Sequence, residues 1–370
     1  MANEILDIAQ LQATLLQTKA TWVAGESPFT ALTTQEKRLR LGAEPPPGEI
    51  TLDEREQIAR TNFQTGIGVK AVGVPASYDL RNVDGKNFIT PIKNQGNCGS
   101  CVAFGSVATV EGTTRVKRND PHLNVDLSEA HLFYCHAAAQ GRNCSNGWWV
   151  DPALDAFKNP GVVDDACYPY TPGDQQCGVC SDWQNRVIKI PAWRKLTTIA
   201  DMKTWLSING PLAACFKVYD DFYAYRSGIY HHVSGDFLGG HCVCVIGYSD
   251  PDKCWICKNS WGTNWGENGF FRIAYGDCGI DYTMWGVEIW FIQPVWLEKK
   301  LITGLWSTNQ ERKAAAYVDG VGWRYLSAEN DSVFLGILTL VTSAKASKAL
   351  VNLRVEREAE KEVIKEIYVF

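Results

Sequence analysis

A cysteine at the join between a glycine-rich turn and an apolar helix is well placed for nucleophilic chemistry. The turn is Gln95-Gly96-Asn97-Cys98-Gly99-Ser100, and Cys101 opens a helical pattern through Val102, Phe104, Val107, Ala108 and Val110 to Arg118. First-turn N–H groups and the positive end of the helix dipole favour the thiolate, the reactive form. A thiolate nucleophile needs a base. Of six histidines, His122 falls in a loop after Pro121, and His131 and His136 read as helix-surface residues. His231 and His232 follow Gly228-Ile229-Tyr230 near a strand end, and His241 stands after Gly239-Gly240 at the start of an apolar strand. A histidine there is ordinarily structural. The run Lys258-Asn259-Ser260-Trp261-Gly262 changes that reading. A neutral Asn accepts from one imidazole nitrogen, fixes the tautomer and ring direction, and leaves the other nitrogen for a thiol. Trp261 is suited to shield that bond from water.

The elements that must position these residues fall into two halves. Helical spacing runs from Cys101, resumes after Leu127 with Ser128 as N-cap, and recurs from Asp151 to Phe157 before Pro160-Gly161. Strand-type runs follow: Leu212 to Val218, His241 to Tyr248, Cys254 to Lys258, and Gly269 to Tyr275. A helical half followed by a β half predicts an α+β enzyme with its cleft between them.

The 13 cysteines all lie between Cys98 and Cys278, which marks a central domain, residues 74–297, with cysteine-free flanks. Their odd number leaves at least one thiol outside any intramolecular disulfide. Residues 1–73 read as a helical segment. Ile5, Leu6, Ile8, Leu11, Leu15 and Leu16 form one helix, Thr33-x-x-Glu36 starts a second that Gly42 stops, and Thr51 starts a third. This segment is either a packed extension or an inhibitory propeptide. Residues 298–370 read as a small α+β module, with strands from Leu301, a hairpin around Asp319-Gly320, a helix from Val333 to Ser343, and paired strands Val351 to Val355 and Val363 to Phe370. It is a passive extension or a targeting, substrate-binding or regulatory module.

The net charge of −5 gives no reason to expect nucleic acid or an anionic membrane as partner. No run approaches the roughly 18 apolar residues of a membrane span. The first ten residues show neither a basic n-region nor an apolar h-region, so no secretory signal is read in this chain. The cysteine density nevertheless suggests an oxidising compartment, which leaves the localisation unknown. No metal or cofactor is called for, and the oligomeric state is left unknown.

Gln95 to Cys101 with Ala103-Phe104, then Gly240-His241, then Lys258 through Gly269, resembles the papain-like cysteine peptidases of the cathepsin type. The likeness spans residues 74 to about 295, roughly the length of that catalytic domain, and Val74-Pro75-Ala76-Ser77-Tyr78-Asp79 looks like its mature N-terminus. It implies a two-lobed α+β fold with a helical left lobe and a β-barrel-like right lobe. It implies Cys101 as nucleophile, His241 as acid/base, Asn259 as its orienter, and the Gln95 side chain with the Cys101 N–H as oxyanion hole. Asn146, Gly147 and Trp148 match the strip that pairs with extended peptide. Trp148, Trp149, Cys215 and Cys242 should surround an apolar S2 pocket, and Trp261 and Trp265 the leaving-group side.

The resemblance pairs Cys98 with Cys144, and the preferred pairing of the second group is Cys135 with Cys177 and Cys167 with Cys180. Cys215, Cys242, Cys244, Cys254, Cys257 and Cys278 are taken as buried thiols. A zinc site from Cys177-x2-Cys180 and Cys254-x2-Cys257 is a competing reading. So is a thioredoxin-type redox pair at Cys98-x2-Cys101, though no βαβ pattern precedes it and it leaves His241 and Asn259 unexplained. Three positions depart from the family: Val102 for an aromatic residue, Leu80 for Trp, and Gly240 where many relatives have a polar residue.

The chain is therefore expected to be a cysteine endopeptidase made as a zymogen. Its partners would be peptide or protein substrates and its own N-terminal segment as inhibitor. Two rivals use the same residues differently: a transpeptidase or ligase with the same nucleophile, and a non-catalytic binder with the segment held in the cleft.

Overall fold

The computed structural model describes residues 6–66, 68–69, 71–289, 295–307, 313–327, 331–358 and 361–370. The chain divides into two compact units, Met1–Glu288 and Ile289–Phe370.

In the first unit, residues ahead of the central domain form α1 (Ile8–Thr18), β1 (Trp22–Ala24), α2 (Thr34–Arg38) and α3 (Leu52–Thr65). Thr33 and Thr51 close reciprocal capping boxes with Glu36 and Glu54, so each helix start satisfies its own orphan N–H groups. The segment is not wholly helical. Trp22 and Val23 pair antiparallel with Gly228 and Ser227, and the Trp22 indole donates to His231 O at 3.0 Å. Leu11, Leu15, Trp22, Phe29 and Leu41 belong to the same apolar core as the central domain.

The central domain then runs through β2 (Ser77–Asp79), α4 (Cys101–Arg118), a π-helical turn His131–Ala137, α5 (Val150–Lys158), β3 (Trp193–Leu196) and α6 (Ile199–Ile208). The remaining strands are β4 (Leu212–Tyr219), β5 (Tyr225–Tyr230), β6 (Phe237–Ser249), β7 (Cys254–Lys258), β8 (Phe270–Ala274) and β9 (Met284–Val287). Ser128 accepts from His131 N at 2.8 Å and so caps the turn it was expected to start. His131 itself is buried, accepting from Val163 N at 3.1 Å through Nδ1, and is not a helix-surface residue.

The right lobe corrects the barrel-like expectation. Its nine-stranded sheet is open, in the order β1-β5-β8-β7-β6-β4-β9-β3 with β2 beside β6, and β1 and β3 remain as edges. One edge is supplied by the N-terminal segment, whose β1 pairs with β5. β6 begins at Phe237, four residues ahead of the apolar run, so His241 lies in a strand interior. Gly239 and Gly240 carry no apolar side chain to signal the strand.

Three disulfides join Cys98 to Cys144, Cys135 to Cys177 and Cys167 to Cys180, with Cα separations of 4.4, 4.8 and 5.1 Å. Cys101, Cys215, Cys242, Cys244, Cys254, Cys257 and Cys278 are free and buried.

The second unit is a six-stranded sheet carrying one helix. Its elements are β10 (Val295–Lys300), β11 (Ile302–Ser307), β12 (Ala314–Val318), β13 (Gly322–Leu326), α7 (Asp331–Ser347), β14 (Val351–Glu358) and β15 (Lys361–Val369). The strand order is β10-β14-β15-β13-β12-β11. Ile337, Val341 and Ala344 of α7 share a core with Ala316, Val318, Leu353 and Ile364. β10 starts three residues ahead of the boundary read at 298, because residues 295–297 pair with Val355, Arg354 and Leu353 of β14.

Candidate active site

Cys101 is the first residue of α4, and both Cys101 and His241 are fully buried. His241 Nε2 lies 2.8 Å from Asn259 Oδ1, whose other contact is the Ser260 backbone N–H, also at 2.8 Å. Asn259 is thus an acceptor fixed from two sides. The His241 Nδ1 atom is buried with no hydrogen-bond partner. The Trp261 ring lies 4.8 Å from the imidazole and is itself stacked on Tyr223 at 4.7 Å. Water is excluded from the His–Asn bond by these rings.

Burial sets the charge state of the pair. It pushes the Cys101 thiol up to about 12, against an opposing pull from the backbone at Cys242, Gly42 and Val102. It pushes His241 down to about 4, against the stabilising bond to Asn259. Both groups are therefore neutral at pH 7 in this covered state.

Gln95 is held by its neighbours at every polar atom. Its N–H donates to Ser260 O at 2.9 Å, and its Oε1 accepts from Ser260 Oγ at 2.6 Å. That fixes the amide so that Nε2 donates to Cys98 O at 2.8 Å and to Arg40 O at 3.0 Å. Ser260 was not singled out from sequence. Its only signal was a small hydroxyl next to Asn259.

Residues 40–44 of the N-terminal segment run through this site. Gly42 N and Ala43 N both donate to Gly240 O at 3.0 Å, Trp148 N donates to Gly42 O at 2.7 Å, and Glu44 N donates to Trp148 O at 3.1 Å. Ala43 and Trp148 form a parallel bridge. The fit is backbone against backbone. A Cβ on Gly42 would lie 2.1 Å from Gly99 O, one on Gly147 2.1 Å from Gly42 O, and one on Gly240 2.1 Å from Ala43 O. This accounts for Gly240, which departs from the family, since any side chain there would collide with the segment. Gly42, read from sequence as a helix stop, is what the cleft requires at closest approach.

Contacts on either side anchor the segment. Phe29 packs on Trp261 at 5.9 Å, and the Arg40 guanidinium lies 4.8 Å above Phe29. Lys37, fully buried, pairs with Asp220 at 2.7 Å. Beyond the cleft, Lys217 Nζ pairs with Asp53 at 2.6 Å and Glu56 at 2.9 Å on α3. Arg55 lies 4.9 Å from the rings of both Trp149 and Tyr282.

The other sequence-selected residues separate into two groups. Trp148 and Trp149 sit beside the segment, and Asn146 shapes the loop by accepting from Asn143 N at 2.8 Å. Cys215 and Cys242 face each other across β4 and β6. Trp265 is buried in an aromatic cluster with Phe222, Tyr225 and Phe271, and its ring lies 5.1 Å from that of Trp261.

Behind the site, buried charges join α4 to β7. Lys258 Nζ donates to Thr90 Oγ1 at 2.8 Å, and Thr90 donates to Glu111 Oε2 at 2.6 Å. Lys93 pairs with Glu129 at 2.9 Å and lies 3.6 Å from Glu111. Among the described residues one group, Glu56, Asp277 and Cys278, brings potential metal ligands within 4.8 Å. Lys217 already places an ammonium on Glu56 there.

A family model described as papain family cysteine protease matches residues 74–287. The chain belongs to the papain family of cysteine proteases. It is 36% identical over 222 residues to Cathepsin B-like CP2 of Giardia intestinalis, covering 56% of this chain and 72% of that protein. It is 31% identical over 264 residues to Cysteine proteinase 2 of Entamoeba histolytica, covering 69% and 77% respectively. Among solved structures it is similar to digestive procathepsin L2 proteinase from Tenebrio molitor larval midgut, at 26% identity and a TM-score of 0.61. That likeness covers 76% of this chain and 89% of the other, more of this chain than residues 74–287 alone. The chain is a papain-like cysteine-type peptidase with a two-lobed α+β fold.

Proposed function

We propose that this papain-family protease is a cysteine endopeptidase held as a zymogen, with Cys101, His241 and Asn259 as its triad. The observation that carries the reading is the buried 2.8 Å contact of His241 Nε2 with Asn259 Oδ1, which leaves Nδ1 without a partner. In the zymogen, Arg40 O takes the Gln95 donor and Gly42 O takes the Trp148 N–H. The groups that would receive a peptide are filled by the chain's own backbone.

Loss of residues ahead of Val74 opens the cleft. The connection there is accessible, with Val72 87% exposed. Resolvation lowers the Cys101 thiol from about 12 and raises His241 from about 4, so a proton passes from Sγ to Nδ1. The thiolate attacks a peptide carbonyl carbon. The developing oxyanion receives the Gln95 Nε2 and Cys101 backbone donors, charge stabilisation that exists only in the transition state. His241 returns its proton to the leaving amine, a thioester forms on Cys101, and water activated by His241 hydrolyses it. Asn259 keeps the imidazole in one orientation throughout. Residues 74–297 would carry this chemistry, with residues 298–370 as an accessory domain.

The test is expression of the full chain and of Cys101→Ala side by side. In mildly acidic, reducing buffer the parent is expected to lose the residues before Val74 and to cleave a peptide with an apolar P2 residue. The variant is expected to do neither. Equal processing and equal cleavage by both would overturn the reading.

A further inference from the structure

Of the seven free thiols, two stand in a relation the peptidase reaction does not use. Cys215 and Cys242 are direct partners in the antiparallel pairing of β4 with β6. Among the described β pairings this is the one register that sets cysteine opposite cysteine. Directly opposed residues project from the same sheet face, with Cα atoms about 4.5–5.5 Å apart. A disulfide spans Cα separations of about 4.4–6.8 Å, a range that contains this spacing, and Cβ separations of about 3.5–4.5 Å, so the two Cβ atoms need only draw together slightly for the bond to close. Burial first, and then the neighbouring Cys215 side chain, raise the Cys242 thiol. Cys242 Sγ packs into the space left by Gly105, one turn along α4 from Cys101, where a Cβ would come within 2.7 Å of it. Cys242 also follows His241 in β6. The pair thus lies under the helix and beside the strand that carry the reacting groups.

We propose that Cys215 and Cys242 form a reversible cross-strand disulfide beside the cleft, a modification site that makes peptide binding respond to small-molecule disulfides independently of Cys101. The effect on peptide binding rests on the peptidase reading above; formation of the bond does not. One protein thiolate attacks a sulfur of the small disulfide and expels one small thiol. The second protein thiolate attacks the resulting mixed disulfide, closes the Cys215–Cys242 bond and expels the second small thiol. The protein pair gives up two electrons, and its two protons leave with the released thiols. Burial holds Cys242 well above the usual thiol range, so the reduced pair exchanges slowly until the sheet opens locally.

The test incubates the full wild-type chain and the full Cys101→Ala chain through a series of oxidised-to-reduced glutathione ratios, followed by acid quench, alkylation and peptide mapping. A Cys215–Cys242 linked peptide is expected in both chains at the oxidising end and is lost with dithiothreitol. Separately alkylated cysteines throughout, or glutathione adducts without the link, would overturn the proposal. The second readout is kinetic. In chains first processed to lose the residues before Val74, oxidised wild type is expected to show KM raised about tenfold for an apolar-P2 peptide, the effect of reshaping one apolar contact. A Cys215→Ala chain, assayed against its own reduced form, is expected to lose only kcat, through adducts on Cys101. An unchanged KM in linked wild type would overturn the coupling to the cleft. A chain that cleaves nothing even when reduced would refute the peptidase reading and leave the mapping result standing.

Discussion

The two lobes of the peptidase domain use cysteine in opposite ways. All three disulfides lie in the lobe built on α4, between Cys98 and Cys180, while six of the seven free thiols lie on or beside the sheet, from Cys215 to Cys278. The difference follows from backbone order. In the sheet, ladders of hydrogen bonds already fix the chain, and buried cysteine serves as a small apolar side chain. In the other lobe, the stretches 119–149 and 159–192 are mostly irregular and have little ladder to hold them. There the cross-links restrict the unfolded chain and hold loops in place. Cys98–Cys144 shows the functional side of this. It ties the turn before Cys101 to the strip at Asn146–Trp148, and Gly99 N donates to Cys144 O at 2.9 Å alongside it. Cys101 belongs to neither pattern, since its value is chemical.

The contrast is sharpest at Cys101. Cys101→Ala is expected to reduce peptidase turnover by at least about 10⁴-fold with only a small change in thermal stability, because the nucleophile is removed and the loss is a single sulfur atom. Steady-state kinetics beside a melting curve would check it. Breaking a staple should instead act on stability. The double change Cys98→Ala with Cys144→Ala is expected to cost about 2–5 kcal/mol in chemical denaturation, and to raise KM by loosening the strip.

Acid probes the covered state of the site. His241 is depressed to about 4 with the segment in place, whereas an exposed imidazole titrates near 6.5. The covered form therefore keeps its full advantage above pH 6.5. It loses that advantage as pH falls toward 4, by up to about 1.4 kcal/mol per pH unit, because the open form takes up the proton. In the parent the proton that appears on His241 comes from Cys101 Sγ on opening, so Cys101→Ala is the chain in which His241 draws it from solvent. Exposure of the segment to limited proteolysis in Cys101→Ala should rise steadily between those limits, and a flat profile would contradict the assignment. The smallest effect belongs to the sheet thiols. Cys254→Ala is expected to cost about 1 kcal/mol or less in denaturation, with kcat and KM unchanged. A cost as large as that of losing a disulfide would break the comparison between the lobes.

What the sequence made legible was what local chemistry dictates. A thiol at a helix start, a Gly-His pair and Asn-Ser-Trp-Gly each carry their meaning within a few residues, and the capping boxes at Thr33 and Thr51 do the same. What stayed hidden depends on partners far away in the chain. Trp22–Ala24 has too few residues to read as a strand and becomes one because β5 offers an edge. His131 looks solvent-facing until Val163 donates to it. The barrel-like expectation failed on the same ground, since closure depends on which strand reaches the sheet edge. Trp265 shares its motif with Trp261, and only the folded chain shows that the Trp261 ring lies 4.8 Å from the imidazole. Val102 is buried on α4, and nothing in its surroundings explains why it replaces an aromatic residue.

The glycine contact at Gly42 has a consequence for anyone who would use the segment as a template. With its missing Cβ only 2.1 Å from Gly99 O, the inhibitory strand sits deeper than any side-chain-bearing peptide of that polarity can descend. It is a gauge of how close a backbone can come to the cleft floor at that position. A mimic copied from residues 40–44 must keep a bare methylene at its centre, and decorating that position would lift the whole ligand out of register.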